Sequence, residues 1–369
     1  MTTINNSEER QQPLWSEERL SLFRYRLIRW FVRNGRALPW RGIKDPYKIW
    51  VSEIILQQTQ VVQGWDYYLR FIEKYPTVGA LAQAEDEEVL LLWQGLGYYS
   101  RAHNMLTAAR QIVDRHGGSF PTTAKEVSQL KGIGPYTTAA IMSIAYDAPL
   151  AVVDGNVYRV LSRVEASEMP IDTTAGQKYY RALADRYLDR AQPGQYNQAI
   201  MDLGAMVCTP RNPLCHDCPL GELCLSRDRS ELINLLPIKA KKTAVKTHYL
   251  DYFLYLTENH LFIEQRDKKG IWKSLYQFPL HYGTEAFLSP DEVARQIGEA
   301  WQSDQSVDLP PHKLTHRLLN IRIHICRPTG DGATPPSTGV QKIRIEEHPR
   351  YAFPKPLRAF LDRAFPPQK

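Results

Sequence analysis

The sequence has no apolar run that approaches the length of a membrane span, and residues 1–12 are polar, without the apolar stretch of a secretion signal. These absences argue against a membrane-embedded or exported class and lead to the expectation of a soluble, cytoplasmic chain with no membrane partner. Cysteine is scarce and unevenly placed, with five in 369 residues, which excludes a secreted disulfide scaffold. No internal repeat is present, and no strand-like alternation appears before about residue 245. Neither sign of charge dominates: a net charge of +6 is compatible with a polyanionic partner without demanding one. What is present is a hydrophobic content of 43%, ample for a packed core, over a length that suits two domains or three.

Helical signals are dense in the first two thirds. Ser16 reads as an N-cap, with Glu17 and Glu18 in a first turn where carboxylates favour the helix dipole. Leu20, Phe23, Leu27 and Phe31 follow at helical spacing until Gly35 stops the helix. A second helix starts at Pro46, and further helical patterns cover residues 69–74, 85–93, 100–116, 123–130, 136–146 and 157–164. Residues 226–246 have a linker composition, with Pro237 and the lysines 239, 241, 242 and 246. Beyond them, residues 250–257 and 261–265 read as a β-hairpin around Glu258, Asn259 and His260. Residues 321–325 alternate as a half-buried strand, residues 290–301 read as a helix, and residues 328–338 as a loop.

Chemistry concentrates at a few points. Cys208, Cys215, Cys218 and Cys224 form C-x6-C-x2-C-x5-C, a density of thiolates that should hold a metal centre; zinc and an iron–sulfur cluster both suit four cysteines. Glu53 has Ile49, Trp50, Leu56 and Gln57 as its neighbours at helical spacing. Either it reaches water at the helix rim, or it is desolvated, with a raised pKa that makes it a usable general acid. Asp154 precedes a helical run, as a plain N-cap or as an ionised carboxylate facing a developing cation. Together the two carboxyls match what glycosidic cleavage needs, an acid at the leaving group and an anion beside the sugar. Gly132, Ile133 and Gly134 lie between two helical patterns and run directly into Pro135. They are either an ordinary corner or an anion site built from bare amides. Gln57, Gln58, Thr59 and the Gly95–Tyr99 run are polar or aromatic points beside turns. They suit contact with opened DNA, with a core role for Tyr98 as the alternative.

Taken in order, L-P-W-R, W-V-S-E-I-I-L-Q-Q-T, W-Q-G-L-G-Y-Y-S-R-A, L-K-G-I-G-P-Y-T, V-D-G-N-V and the four cysteines resemble the MutY family of adenine DNA glycosylases. That family lies within the helix–hairpin–helix superfamily that includes endonuclease III. The resemblance covers nearly the whole chain. It implies base excision repair in which adenine is flipped out of the duplex and its N-glycosidic bond hydrolysed. It also implies a [4Fe–4S] cluster, rather than zinc, on Cys208, Cys215, Cys218 and Cys224. Carried over residue by residue, it makes Glu53 the acid that protonates adenine N7. Asp154 becomes the carboxylate that stabilises the sugar cation, with Tyr136 and Asn156 in support. Arg41 and Gln198 fall near the adenine pocket, Gln58 and Tyr98 wedge into the stack beside Gln57 and Thr59, and Gly132, Ile133 and Gly134 hold the DNA backbone. Bifunctional relatives carry a lysine just after the hairpin, where this chain has Tyr136. A phenol cannot form a Schiff base, so a monofunctional enzyme is expected.

The C-terminal part resembles the Nudix-like domain by which this family recognises 8-oxoguanine, through the block G-I-W-K-S-L-Y-Q-F-P from Gly270 to Pro279. The acidic R-E-x-x-E-E run of true Nudix hydrolases is missing from residues 292–300, which implies reading a base rather than hydrolysing a nucleotide. The family's recognition loop, often Phe-Ser-His, stands here as Leu314, Thr315 and His316, after His312. The expected architecture is therefore an all-α helix–hairpin–helix glycosylase domain with its cluster over residues 1–228, a linker over 229–246, and a smaller α+β Nudix-like domain over 247–369. The expected partner is double-stranded DNA with adenine opposite 8-oxoguanine or guanine, bound by a monomer, nucleoid-associated in a bacterium.

Overall fold

The computed structural model describes residues 16–240, 244–267, 270–330 and 332–366. Lys241 and Lys242 of the basic run, and the polar stretch 1–12, lie outside the described residues. Among the described residues every regular element before Lys246 is helical: α1 (Glu17–Asn34), α2 (Pro46–Leu56), α3 (Val61–Lys74), α4 (Val78–Ala82), α5 (Asp86–Trp93), α6 (Ser100–His116), α7 (Ala124–Gln129), α8 (Pro135–Tyr146), α9 (Gly155–Val164), α10 (Thr174–Tyr187), α11 (Pro193–Met206) and α12 (Ser230–Leu235). The elements form two compact units that interleave along the chain. One holds the segment up to Glu53, Pro121–Gln129, and the chain from Ile133 through α12; the other holds Ile54–Phe120, Leu130–Gly132 and the β-rich C-terminal part.

The first unit is built around α11, which packs on α1, α8 and α9. Two glycines permit that closeness. A Cβ on Gly194 would lie 2.5 Å from the Ser143 carbonyl oxygen of α8, and one on Gly204 would lie 2.6 Å from Cβ of Asn156 on α9. Pro193 occupies the first turn of α11, where a missing N–H costs nothing. The Ser16 cap forms as the sequence suggests, accepting from the Arg19 amide, and Leu20, Phe23 and Leu27 are buried.

In the second unit α6 packs on α4 and α5. The β-rich part contains β1 (Lys246–Tyr255), β2 (His260–Gln265), β3 (Tyr276–Gln277), β4 (Leu280–Gly283), α13 (Pro290–Ile297), β5 (Trp301–Lys313), β6 (Arg317–Pro328), β7 (Val340–Arg344) and α14 (Lys355–Ala364). One sheet has the order β4–β1–β6–β5 and the other β3–β2–β7. Alternation along β1 and β6 explains the layering. Leu250, Tyr252, Leu254, Leu319, Ile321 and Ile323 enter one core with α14, and Phe253, Tyr255 and Cys326 enter another with α13. Each fully buried aliphatic side chain contributes about 1.5–3 kcal/mol.

The hairpin expected over residues 250–265 does not form. β1 pairs in parallel with β6 and antiparallel with β4, while β2 pairs with β7 and β3; a lone bridge, Leu256 to Leu261, joins their ends. The short Glu258-Asn259-His260 link passes the chain from one sheet to the other. Three helical readings also change: α3 begins at Val61 rather than residue 69, α13 ends at Ile297 so that Trp301 opens β5, and α12 lies inside the linker-like stretch.

Candidate active site

Glu53 sits on α2 and is 9% exposed. Its Oε2 accepts a 2.7 Å hydrogen bond from the Tyr136 hydroxyl, which also lies 3.4 Å from Sδ of Met201. The reading of a rim glutamate reaching water therefore falls away. Burial pushes the Glu53 carboxyl up to about 7; the Tyr136 bond and the Arg41 charge restrain the rise, and the Asp154 charge adds to it. A glutamic acid near pH 7 is half protonated, the condition for a general acid. The Tyr136 phenol is held well above its ordinary range by burial and by the two carboxyls it faces, so it remains a donor.

Asp154 caps α9 and is half-buried. Oδ1 accepts from the Val157 amide at 2.8 Å, and Oδ2 accepts from Nδ2 of Asn156 at 2.9 Å. Burial raises its pKa, but the amides of the first turn and Asn156 work against the rise. The bonds continue outward. Asn156 Oδ1 accepts from Nη2 of Arg159 at 2.8 Å, the same nitrogen donates to the Gly204 carbonyl at 2.6 Å, and Arg159 Nε donates to the Cys208 carbonyl at 2.7 Å. A continuous path thus joins the carboxylate to the first cysteine of the cluster loop.

Arg41 is anchored rather than free. It forms a two-pronged pair with Asp202, at 2.6 and 2.7 Å, and Asp202 also accepts from Nε and the amide of Arg36. Asp202 is fully buried; burial opposes its ionisation, but the two arginines outweigh this and hold its carboxyl below the usual range. Gln198 lies half-buried on α11, one turn before Asp202. Arg36, Arg159, Met201, Asp202 and Gly204 were not among the sequence candidates. The apolar spacing of Tyr196, Ile200 and Leu203 would have revealed α11, the helix that carries three of them.

Gly132 has φ +79° and would place a Cβ 2.7 Å from Cβ of Asn104, so the turn requires glycine there. Ile133 is buried. Gly134 has extended dihedrals and caps α8, with open space where its Cβ would be.

The remaining candidates lie in the second unit. Gln58 (φ +57°) and Tyr98 (φ +46°) both adopt the left-handed region, rare for residues other than glycine and a frequent mark of functional turns. Gln58 is exposed, Tyr98 is 48% exposed, and a core role for Tyr98 is excluded. Gln57 and Thr59 flank Gln58, half-buried, with the Thr59 hydroxyl donating to the Gln57 carbonyl at 3.5 Å. The Tyr98 hydroxyl shares a 2.6 Å hydrogen bond with that of Thr315. A cavity runs past this contact, lined by Tyr98, Trp272, His312, Leu314, His316 and Lys355 among others. Leu314 is half-buried against the sheet core, while Thr315 and His316 are exposed.

The four cysteines line one cavity in the first unit with Leu203, Val207, Arg163 and Arg227. Arg163 Nη1 lies 3.4 Å from Cys208 Sγ and also donates to the Thr209 carbonyl at 2.8 Å. Apolar walls and nearby guanidinium groups suit a thiolate-ligated, anionic cluster, so the donor set fits an iron–sulfur centre held by Cys208, Cys215, Cys218 and Cys224.

These elements are those of a helix–hairpin–helix repair protein. The HhH-GPD superfamily of base excision DNA repair proteins matches residues 51–181, the iron–sulfur binding domain of endonuclease III matches residues 208–224, and a NUDIX domain matches residues 251–363. A solved thermostable thymine-DNA glycosylase shares the helical fold at a TM-score of 0.53 and 27% identity, over 57% of this chain and 98% of that one. Endonuclease III in a non-covalent DNA complex superposes at 0.51 with 19% identity, over 59% and 99%. The adenine DNA glycosylase of Buchnera aphidicola subsp. Baizongia pistaciae is 34% identical over 310 residues, 81% of this chain and 84% of that protein. The mouse adenine DNA glycosylase is 45% identical over 219 residues, 57% of this chain; the match spans 42% of the mouse protein, less than half its length. The chain belongs to the adenine DNA glycosylase family and carries the iron–sulfur binding segment of a [4Fe–4S] cluster over residues 208–224.

Proposed function

We propose that the protein is a monofunctional glycosylase that releases adenine mispaired with 8-oxoguanine or guanine in double-stranded DNA. The observation that carries this reading is the pair of carboxyls, buried Glu53 on the Tyr136 hydroxyl and half-buried Asp154 on the first turn of α9. With adenine extruded from the stack, protonated Glu53 transfers its proton to N7, which turns adenine into a neutral leaving group. Asp154, oriented by the Val157 amide and Asn156, stabilises the oxocarbenium-like sugar in its ionised form until water adds. Arg41 and Gln198 border the adenine. The amides around Gly132, Ile133 and Gly134 grip the backbone, and Gln57, Gln58, Thr59 and Tyr98 fill the opened stack. The bound cluster ties the Cys208–Cys224 loop in place and enters no step.

The functional division of the chain is a catalytic region over residues 1–228, a linker over 229–246 and a lesion reader over 247–369. In the reader, Leu314, Thr315 and His316 face the base opposite adenine. The protein acts as a monomer in the cytoplasm, with the nucleoid if the cell is bacterial. The test is a single-turnover assay on adenine paired with 8-oxoguanine, guanine or cytosine. Release should be fastest opposite 8-oxoguanine, and the product strand should break only after alkali. Equal rates on all three would remove the reader role of Leu314, Thr315 and His316, and breakage without alkali would overturn monofunctional chemistry.

Gly204 gives a second check on Asp154. A methyl group added there meets Asn156, the side chain that orients the carboxylate. Gly204→Ala should lower stability by about 1–3 kcal/mol through overpacking, read as a shift in denaturant midpoint. It should also slow adenine release at least about tenfold through displacement of the carboxylate, read at saturating enzyme.

A further inference from the structure

We infer that Arg101 is a positioning residue that sets the two stack-opening turns with one guanidinium shared between them. The inference rests on the reading of Gln58 and Tyr98 as the residues that part the duplex. Arg101 lies in the first turn of α6 and is 9% exposed. Its Nη1 donates toward the carbonyls of Ile54 at 2.8 Å, Ile55 at 3.1 Å and Gln57 at 2.5 Å. Its Nη2 donates to the carbonyls of Leu96 at 3.2 Å and Gly97 at 3.1 Å. The first two acceptors belong to the last turn of α2, whose carbonyls have no partner within the helix, so the cation also caps the helix that carries Glu53.

The other contacts are more telling. The Gln57 carbonyl belongs to the peptide plane immediately before Gln58, and the Gly97 carbonyl to the plane immediately before Tyr98. The orientation of that plane defines φ of the residue that follows. Each non-glycine residue held left-handed costs about 1–3 kcal/mol and persists only where its surroundings dictate it. Here the two dictating carbonyls are held by the two ends of one rigid fork, which also fixes the turns relative to each other. The guanidinium lies 5.2 Å from the Trp93 ring centroid and 5.7 Å from that of Tyr98, which steadies it further. Burial lowers its pKa to about 10, still charged at neutral pH. An ammonium has three donors and no plane, so lysine cannot serve both turns.

The experiment measures single-turnover adenine release by wild type and Arg101→Lys on two duplexes. In one, adenine is paired with 8-oxoguanine; in the other, adenine faces a one-nucleotide gap and is already unpaired, which makes it cheaper to extrude. The ratio of the two rates does not depend on the fraction of protein that folds. Positioning predicts that Arg101→Lys slows release about tenfold or more on the mispair and less than about threefold on the gapped duplex. Equal slowing on both, or no slowing on the mispair, overturns the inference. Gln58→Ala and Tyr98→Ala run in parallel keep the two ideas apart. If neither slows the mispair, the wedge reading itself fails; if both do and Arg101→Lys does not, only the role given to Arg101 falls.

Discussion

Glu53→Gln is expected to slow adenine release by about 10²–10⁴-fold, the usual contribution of a positioned general acid. Glutamine still accepts the Tyr136 hydrogen bond but has no proton to give, so DNA affinity should change little. In the wild type the competent form is the protonated acid. Release should therefore fall as pH rises through about 7, and the residual rate of the variant should lose that dependence. The same shift makes a prediction about stability. A carboxyl raised from 4.5 to about 7 binds its proton more tightly in the folded state. Below pH 4.5 both states are protonated and nothing is lost. Between the two values the unfolded chain ionises first, so stability falls with rising pH, and above both the loss levels off at about 3 kcal/mol. Glu53→Gln removes that loss. It should raise the melting temperature at pH 8 and leave it nearly unchanged at pH 4. A variant that is inactive and no more stable at pH 8 would show that the carboxyl is not held as a buried acid.

Asp154→Asn separates the two uses of one side chain. Asparagine is as good a helix cap as aspartate, so the first turn of α9 should survive and thermal stability should change by a few tenths of a kcal/mol. What disappears is the negative charge beside the sugar. Removing a single preorganised electrostatic group costs about 10²–10³-fold in the chemical step, and release should fall at least that far while the mispair is still bound. Binding by gel shift and release by single turnover, on the same preparation, give the comparison. Retained release would leave Asp154 as a cap and nothing more.

The parts of the site that could be read from the sequence are those whose signal is local. Glu53 stands out against Ile49, Trp50 and Leu56, Asp154 against the helix it opens, and the cysteines lie within seventeen residues. Asp202 gave no such signal, because Arg41 and Arg36 lie 161 and 166 residues away and no pattern near Asp202 marks it as their partner. The strands failed for a similar reason. Residues 250–265 alternate well enough to pass for a hairpin, but what decides the pairing is the burial of Leu250, Tyr252 and Leu254 beside Ile321 and Ile323, far along the chain. Arg101 sat in plain view inside a recognisable motif. Its contacts are to main-chain carbonyls, which every residue has, so its role became visible only with coordinates.

The interleaving of the two units bears on how the chain is made. Residues 54–120 belong with strands that leave the ribosome much later; the Gln94 side chain, for example, accepts from the Phe353 amide at 3.2 Å. At about 5–20 residues per second, α3 to α6 wait on the order of ten seconds or more for the sheets that complete their unit. The second unit therefore cannot close until those strands have emerged, and during that interval its helical half stands without the sheets that complete it.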